Sequence, residues 1–472
     1  MEDKTNQNSR REFIKTGATA AAGFMIVPRY VLGGKGFIAP SDRLTIASVG
    51  VGGKGSSDIA AFDKTGKADI AFLCDVDDKR AAATVAKFPK AKRYKDWREM
   101  LDKDGKNFDA VSVSTPDHNH AIVAYSAMQL GKHVYVQKPM THDLWEARLL
   151  TEAAKKYKVV TQMGNQGASN DGTRQLAEWY DAGIIGDVHT VYCWTNRPVW
   201  PQGIAWPAKK ADIPSTLDWN LWLGTAPQKD FIENLVPFNW RGWWDYGTGA
   251  LGDMGCHLVE APFRVLGLQY ARDVQASVGS VYVGEFKKGV FPESCPPSSH
   301  ITLTFPKTAK TKGDIKLHWM DGGIQPERPD ELGPNELFGD DEGNGILFIG
   351  TKGKMLASCY SENPLLLPTS RTKEVKVPQK YARITGQSSG HYGQWIDACI
   401  AGYGKKELSS PFETAGPLTE ALLMANLAIR GHELKGGQIK MVWDNANMRI
   451  TNFDDANQYI KRTYRPGFEL KA

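Results

Sequence analysis

The 472-residue sequence is poor in the features that place a chain in a class at a glance. Its six cysteines (Cys74, Cys193, Cys256, Cys295, Cys359 and Cys399) show neither a pairing pattern nor metal-ligand spacing, so they read as buried thiols. That excludes a disulfide scaffold. Charge of one sign is scarce too: 58 lysines and arginines face 53 aspartates and glutamates, leaving +5 with no basic stripe. A nucleic-acid partner is therefore not expected. No run is apolar enough to cross a bilayer comfortably, and there is neither an internal repeat nor a low-complexity segment.

What remains is globular material. A hydrophobic content of 41% and a charged content of 24% allow a full core, and the length suits two domains with extensions. The most informative stretch is Arg43-Leu-Thr-Ile-Ala-Ser-Val-Gly50-Val-Gly52-Gly53-Lys-Gly55. The β-branched and alternating residues 44–49 predict a buried strand, and 56–63 predict a helix. Gly50, Gly52 and Gly55 thus fit G-x-G-x-x-G between strand and helix, where the backbone, Gly53 included, cradles a pyrophosphate at a helix N-terminus. A second strand, Ile70 to Cys74, ends in Asp75, placed to hold the ribose 2′-hydroxyl of NAD. Lys79 and Arg80 lie near enough to leave NADP open.

Strand and helix keep alternating. Helices are predicted over 79–88, from Thr115-Pro116-Asp117 to Leu130, and over 141–157; strands over 108–114, 133–137 and 159–163. Tyr94 to Leu101 reads as a short element. Five strands separated by helices predict a doubly wound, Rossmann-type α/β domain. Past Gly164, strands without intervening helices (188–196, 274–283, 299–305, 314–320, 345–350 and 354–358) predict a second, α+β domain with a large open, mainly antiparallel sheet. The expected division is a leader and linker at 1–40, a nucleotide-binding domain at 41–163, a substrate domain at 164–440, and a polar tail at 441–472 that wraps the surface.

Two segments carry candidate chemistry. Gln137-Lys138-Pro139 closes a parallel strand, at the edge where doubly wound sheets bind ligands. Asp253-Met-Gly-Cys-His257, if helical, puts a carboxylate and an imidazole four apart on one face. The histidine can take a proton from a hydroxyl as hydride leaves the same carbon, with the carboxylate holding the ring. A metal held by this pair with His118 or His120 finds no further ligand at suitable spacing. Eight of the fourteen tryptophans fall between Trp194 and Trp244, and such rings stack on sugar C–H faces. Trp243, Trp244, Asp245 and Arg197 are the substrate candidates there, with Arg241 beside them.

These motifs, in this order, resemble the glucose–fructose oxidoreductase/inositol dehydrogenase/MocA (Gfo/Idh/MocA) family over about residues 43–440: the glycine turn, Thr115-Pro116-Asp-His-Asn-His120, then Gln137-Lys138-Pro139, then the Asp253–His257 segment. The resemblance implies Lys138, Asp253 and His257 as a catalytic trio and Thr115, Pro116 and His120 along the nicotinamide side. It also implies a homodimer or homotetramer paired through the open sheet. Gln137 stands where the family has glutamate, which changes how Lys138 is held. Asn165 and Gln166 replace a customary arginine and become substrate or cofactor candidates. The implied activity is hydride transfer between a sugar or glycoside hydroxyl carbon and a tightly bound NAD, with a redox-neutral NAD-dependent glycosidase as the alternative.

Ser9-Arg10-Arg11-Glu12-Phe13-Ile14-Lys15, followed by the mild apolar run 16–27, resembles a twin-arginine export signal. It predicts a periplasmic protein exported in the folded state, not inserted in the membrane, carrying its nucleotide with it.

Overall fold

The computed structural model describes residues 42–471, so the leader expected at 1–40 lies outside the described residues. The apolar runs of the first third form six parallel strands: β1 (Leu44–Val49), β2 (Ala68–Cys74), β3 (Lys92–Tyr94), β4 (Ala110–Val113), β5 (His133–Val136) and β6 (Thr161–Met163). Their spatial order is 3-2-1-4-5-6. Helices α1 (Lys54–Lys64), α2 (Asp78–Lys87), α3 (Trp97–Asp104), α4 (His120–Gln129) and α5 (Leu144–Tyr157) join them. Local chemistry marks the helix starts. Asp77 and Asp96 cap α2 and α3, and Asp143 with Glu146 forms a reciprocal capping box on α5.

Two details depart from the sequence reading. The sixth strand, β3, has only three residues, two of them exposed, too few to show a period. After Thr115, the helix expected to begin at Pro116 is delayed. Pro116 stays extended (ψ 153°), Asp117–Asn119 make a tight 3-10 turn, and α4 begins at His120.

Beyond α6 (Asp171–Asp181), the chain builds a nine-stranded sheet. Its members are β7 (Val188–Trp194) and β8 (Asp273–Val278); then, after a separate hairpin of β9 (Tyr282–Gly284) and β10 (Lys287–Lys288), β11 (Ser299–Phe305), β12 (Ile315–Met320), β13 (Gly345–Gly350), β14 (Gly353–Ala357), β15 (Leu365–Leu367), β16 (Lys440–Asp444) and β17 (Arg449–Ile450). The order is 15-14-13-7-12-11-8-16-17, antiparallel except for the β7–β12 pair. Alternate residues Ile301, Leu303, Leu317 and Trp319 point inward and are fully buried. Helix α7 (Gln387–Ala401) precedes α8 (Phe412–Lys435), and α8 packs on this inner face.

The chain also crosses between its two sheets in ways the sequence did not suggest. Tyr392, Trp395 and Ile396 of α7 share a core with Ile46, Phe62 and Tyr135, so α7 is a layer of the first sheet although it lies within 164–440. The C-terminal stretch, expected as a polar wrap, supplies β16 beside β8 and buries Ile460, Phe468 and Leu470. Arg462 inserts its guanidinium against the α5 capping box, 2.8 Å from Glu146 and 3.5 Å from Asp143, and also donates to the His118 carbonyl at 2.5 Å.

Removing one partner of such a buried cluster leaves uncompensated charge. Arg462→Ala should therefore lower unfolding stability by about 3 kcal/mol, read by denaturant titration; a change inside experimental error would show that the tail is not anchored there.

Candidate active site

β1 delivers the chain into the glycine turn. Gly50 has φ +78°, and a Cβ there would lie 2.6 Å from the Ser114 carbonyl oxygen; at Gly55 it would stand 1.8 Å from the Gly50 carbonyl oxygen. The turn and its helix close this tightly only with glycine at both places. Gly53 is the N-cap of α1 and supplies no side-chain cap, so no capping side chain competes with a ligand phosphate at this helix N-terminus. Gly50, Gly52 and Gly53 line a cleft of about 940 Å³ that runs past the carboxyl ends of the strands. From β2 to β5 that edge spans three strand spacings, roughly 14 Å.

Asp75 lines the cleft, but its carboxylate is also engaged: it accepts from Val51 N (2.8 Å), Gly52 N (3.1 Å) and Asp77 N (2.9 Å). Burial raises its pKa despite those three donors. It braces the turn as well as facing the ligand. Arg80 and Lys95 share that end of the cleft. The glycine turn, the helix without a side-chain cap and the acid at the end of β2, all on one cleft, fit a dinucleotide.

At the other end, Lys138 follows β5 and lines the cleft with His257. Its ammonium donates to the Asp253 backbone oxygen at 2.7 Å and to Asp253 Oδ1 at 2.9 Å. Asp253 also meets Arg241 Nε (3.4 Å) and Arg197 Nε (3.8 Å). Burial alone would push its pKa up; the Lys138 ammonium and then the Arg241 guanidinium outweigh this and hold the carboxyl well below the usual range. The segment expected as an α-helix opens as a π-helical turn, Leu251–Gly255, before a short α-helix at Cys256–Leu258. Gly255 lets it lie against α8, where a Cβ would come 2.5 Å from Leu422.

His257 lies on the cleft wall, 6% exposed, and its Nδ1 is buried without a hydrogen-bond partner. The expectation that Asp253 holds this ring is therefore corrected: the carboxylate is turned to Lys138 and the arginines. Burial first, and the Lys138 ammonium second, keep the imidazole pKa well below its ordinary value, so it is neutral.

The other sequence candidates separate into two groups. Thr115, Pro116 and Gln166 line the cleft; Gln166 donates to Tyr392 Oη at 2.9 Å. His120 does not. It is buried, its ring spanning the Thr115 carbonyl (2.8 Å) and the Pro139 carbonyl (2.7 Å), and so it ties two cleft turns together from behind. Asn165 is fully buried and donates to the Cys256 carbonyl at 3.4 Å. Arg197 touches the site through Asp253. Trp243 and Trp244 are core residues, pinned by a β-bridge to Ser294 and a hydrogen bond to Glu293, and Asp245 is paired with Lys229. Trp222 and Trp240 line the cleft in their place.

Sequence reasoning missed a carboxylate. Asp58 on α1, fully buried, accepts from Lys54 Nζ (2.5 Å), Ser114 Oγ (2.9 Å), Tyr392 Oη (2.8 Å) and Gln137 Nε2 (2.8 Å). The i, i+4 spacing of Lys54 and Asp58 was the available signal. Gln137 thus bonds a neighbouring carboxylate, and Lys138 takes its anionic partner from Asp253. Tyr360, on the cleft wall, was missed as well.

Residues 44–165 match the oxidoreductase family, NAD-binding Rossmann fold model of Gfo/Idh/MocA, and residues 184–281 match that family's C-terminal alpha/beta domain. The levoglucosan dehydrogenase of Pseudarthrobacter phenanthrenivorans is 22% identical over 41% of this chain and 42% of its own length. A glycosyl hydrolase family 109 protein of Shewanella pealeana is 27% identical over 31% and 37%. The chain spans about two fifths of the length of these curated relatives. Among solved structures, the WlbA dehydrogenase of Bordetella pertussis, in complex with NADH and UDP-GlcNAcA, superposes with TM-score 0.56 at 17% identity, over 85% of this chain and 100% of that one. A levoglucosan dehydrogenase complex with NADH and levoglucosan gives 0.56 at 14%, over 84% and 99%. At these identities the likeness establishes the fold.

Because Gln137 donates to Asp58, Gln137→Glu should set two carboxylates against each other. The variant's melting temperature should fall below wild type, and the gap should widen as pH rises above about 4, where the new acid would ionise. A gap that stays flat from pH 4 to 8 would mean that Asp58 is not its partner.

Proposed function

We propose that this chain, which carries the paired domains of the Gfo/Idh/MocA oxidoreductases, moves hydride between a sugar or glycoside hydroxyl carbon and a tightly held NAD. One observation carries the reading: the ammonium of Lys138, locked to Asp253, and the neutral imidazole of His257 share one cleft with the glycine turn. Sugar-dehydrogenase relatives and fold neighbours support it.

Gly50, Gly52, Gly53 and Asp75 would hold NAD, which when bound supplies the hydride acceptor. The chain's residues manage the proton and the position. Lys138 has three N–H donors and spends two on Asp253. The third is free to hold the reacting hydroxyl oxygen and stabilise its developing negative charge. His257, neutral on the cleft wall, accepts the hydroxyl proton at a ring nitrogen. Asp253 fixes the ammonium and offsets the imidazolium that results.

A second reading, the redox-neutral glycosidase, is favoured by the glycosyl hydrolase family 109 relatives. In it, oxidation of the sugar acidifies a neighbouring C–H, the glycosidic group leaves by elimination, water adds to the resulting unsaturated ketone, and hydride returns. Export by the twin-arginine leader at Ser9–Lys15, residence in the periplasm and pairing of copies through the open sheet remain part of the proposal. Export of a loaded enzyme would require a nucleotide that is retained and regenerated in place.

Denaturing the purified full chain should release NAD(H), identified by chromatography; a protein that neither retains nor takes up a nicotinamide nucleotide overturns the reading. With glycosides, net carbonyl formation and reduction of an added acceptor mark the oxidoreductase, whereas free aglycone at constant nicotinamide absorbance marks the glycosidase. Lys138→Ala and His257→Ala should each lower kcat/KM by about 10²–10⁴-fold. Because burial and Lys138 disfavour the imidazolium, the acid limb of the wild-type kcat/KM profile should fall below pH 6.5, the ordinary imidazole value, and activity should hold down to that point.

A further inference from the structure

The connection from β14 to β15 combines strain with a place in the cleft. Tyr360 (φ 60°), Ser361 (φ 57°) and Asn363 (φ 47°) all adopt the left-handed backbone that non-glycine residues avoid. Elsewhere among the described residues, such positions stand singly. Three in four residues persist only where the surroundings hold them. Here the surroundings do. Cys359 N donates to Asp340 Oδ2 (3.2 Å), Asn170 Nδ2 donates to the Tyr360 carbonyl (3.1 Å), and the Ser358 hydroxyl donates to the Glu362 carbonyl (2.6 Å). Two glycines make the niche: a Cβ at Gly172 would stand 1.8 Å from the Ser361 oxygen, and one at Gly167 would stand 2.9 Å from Tyr360 Cβ.

The product of this anchoring is one ring. Tyr360 lines the cleft, 38% exposed, with its ring centroid 4.6 Å from that of His257 at 65°. A tyrosine that served the core would be buried, as Tyr135 and Tyr246 are. This one borders open space beside the base. We propose that Tyr360 is a substrate-contacting specificity residue: its ring walls the cleft beside His257, and its hydroxyl hydrogen-bonds a sugar hydroxyl other than the reacting one. The proposal rests on the carbohydrate reading above. Burial keeps the phenol protonated, and the Asp253 and Glu342 carboxylates and the Arg197 guanidinium act on it, so it meets substrate as a neutral donor among polar neighbours. An aromatic ring also suits the apolar C–H face of a sugar, and a strained turn fixed on both sides holds that ring in place before substrate arrives.

The test uses NADH-loaded full-length protein, with myo-inositol, levoglucosan and D-glucose titrated calorimetrically into wild type, Tyr360→Phe and Tyr360→Ala. For a sugar that wild type binds, Tyr360→Phe should weaken affinity by about 3–10-fold, the worth of one neutral hydrogen bond. Tyr360→Ala should weaken it further, with NADH affinity unchanged in both and melting temperature unchanged in Tyr360→Phe. In turnover with NAD, Tyr360→Phe should raise KM and spare kcat. Tyr360→Ala alone should admit water to His257 and move the acid limb of kcat/KM upward toward 6.5. Equal sugar affinity in all three proteins overturns the role of Tyr360 and leaves the carbohydrate reading intact. Failure of wild type to bind any of the three sugars, with NADH in place, overturns both.

Discussion

The buried pair between Lys138 and Asp253 is the constraint on which the site depends. It joins the end of β5 to the π-helical turn at Leu251–Gly255, 115 residues later, and so brings Lys138 and the segment that carries His257 to one cleft. A lone ammonium or carboxylate taken from water at such a place is costly, and the pair is tolerable because each charge has good partners. Asp253 has three cations around it, Lys138, Arg241 and Arg197, and Arg241 is shared with Asp117. That excess of positive charge keeps the carboxylate ionised. It also fixes the division of labour: a carboxylate claimed by cations is not free to grip an imidazole, which explains the unpartnered Nδ1 of His257.

A second carboxylate organises the other side of the same edge. Asp58 gathers donors from four parts of the chain, Lys54, Ser114, Gln137 and Tyr392, directly behind the glycine turn. With a full set of donors, a buried ion is stabilised where an isolated one would not be. The cluster ties α1, the β4 and β5 ends, and α7 together. It gives a physical account of the amide at position 137: the residue beside Asp58 has to donate, and glutamate at neutral pH cannot.

Much of this was legible in the sequence, for definite reasons. Strands β1, β11 and β13 run over Leu44–Val49, Ser299–Phe305 and Gly345–Gly350, as their apolar patterns indicate, because β1 runs into Gly50, Ser298 and Pro306 flank β11, and a glycine stands at each end of β13. The glycine turn, Asp75, Lys138 and His257 reach one cleft because strand ends in a doubly wound sheet converge by topology. The three-residue β3, the π-helical opening around Asp253 and the return of α7 to the first sheet were not legible. β3 is too short to show a period, and the other two follow from packing on distant segments, Gly255 on Leu422 and α7 on Ile46 and Phe62, which no local period records. The tryptophans illustrate the limit. Their crowding between 194 and 244 announces an aromatic region, but which face each ring takes is decided by partners such as Ser294, Glu293 and Lys229. Trp222 and Trp240 therefore reach the cleft, and Trp243 and Trp244 do not.

On the proposed reading of the site, the electrostatics around His257 bear on which catalytic cycle suits it. A base that is neutral at rest and surrounded by Lys138, Lys54 and Arg241 accepts a proton readily only while a compensating negative charge is forming nearby. The alkoxide character that develops as hydride leaves a hydroxyl carbon is such a charge, held against the third N–H of Lys138. Once the carbonyl is formed, that charge is gone and Asp253 alone favours the imidazolium. The proton is then held weakly. In a dehydrogenase it passes to solvent along the open cleft; in a closed cycle it returns with the hydride, or moves to a departing glycosidic oxygen. The same arrangement serves both. On that reading the choice between them falls to whatever shapes the substrate beyond the reacting carbon, where Tyr360, Trp240 and Arg241 line the cleft, rather than to the Lys138–Asp253–His257 group itself.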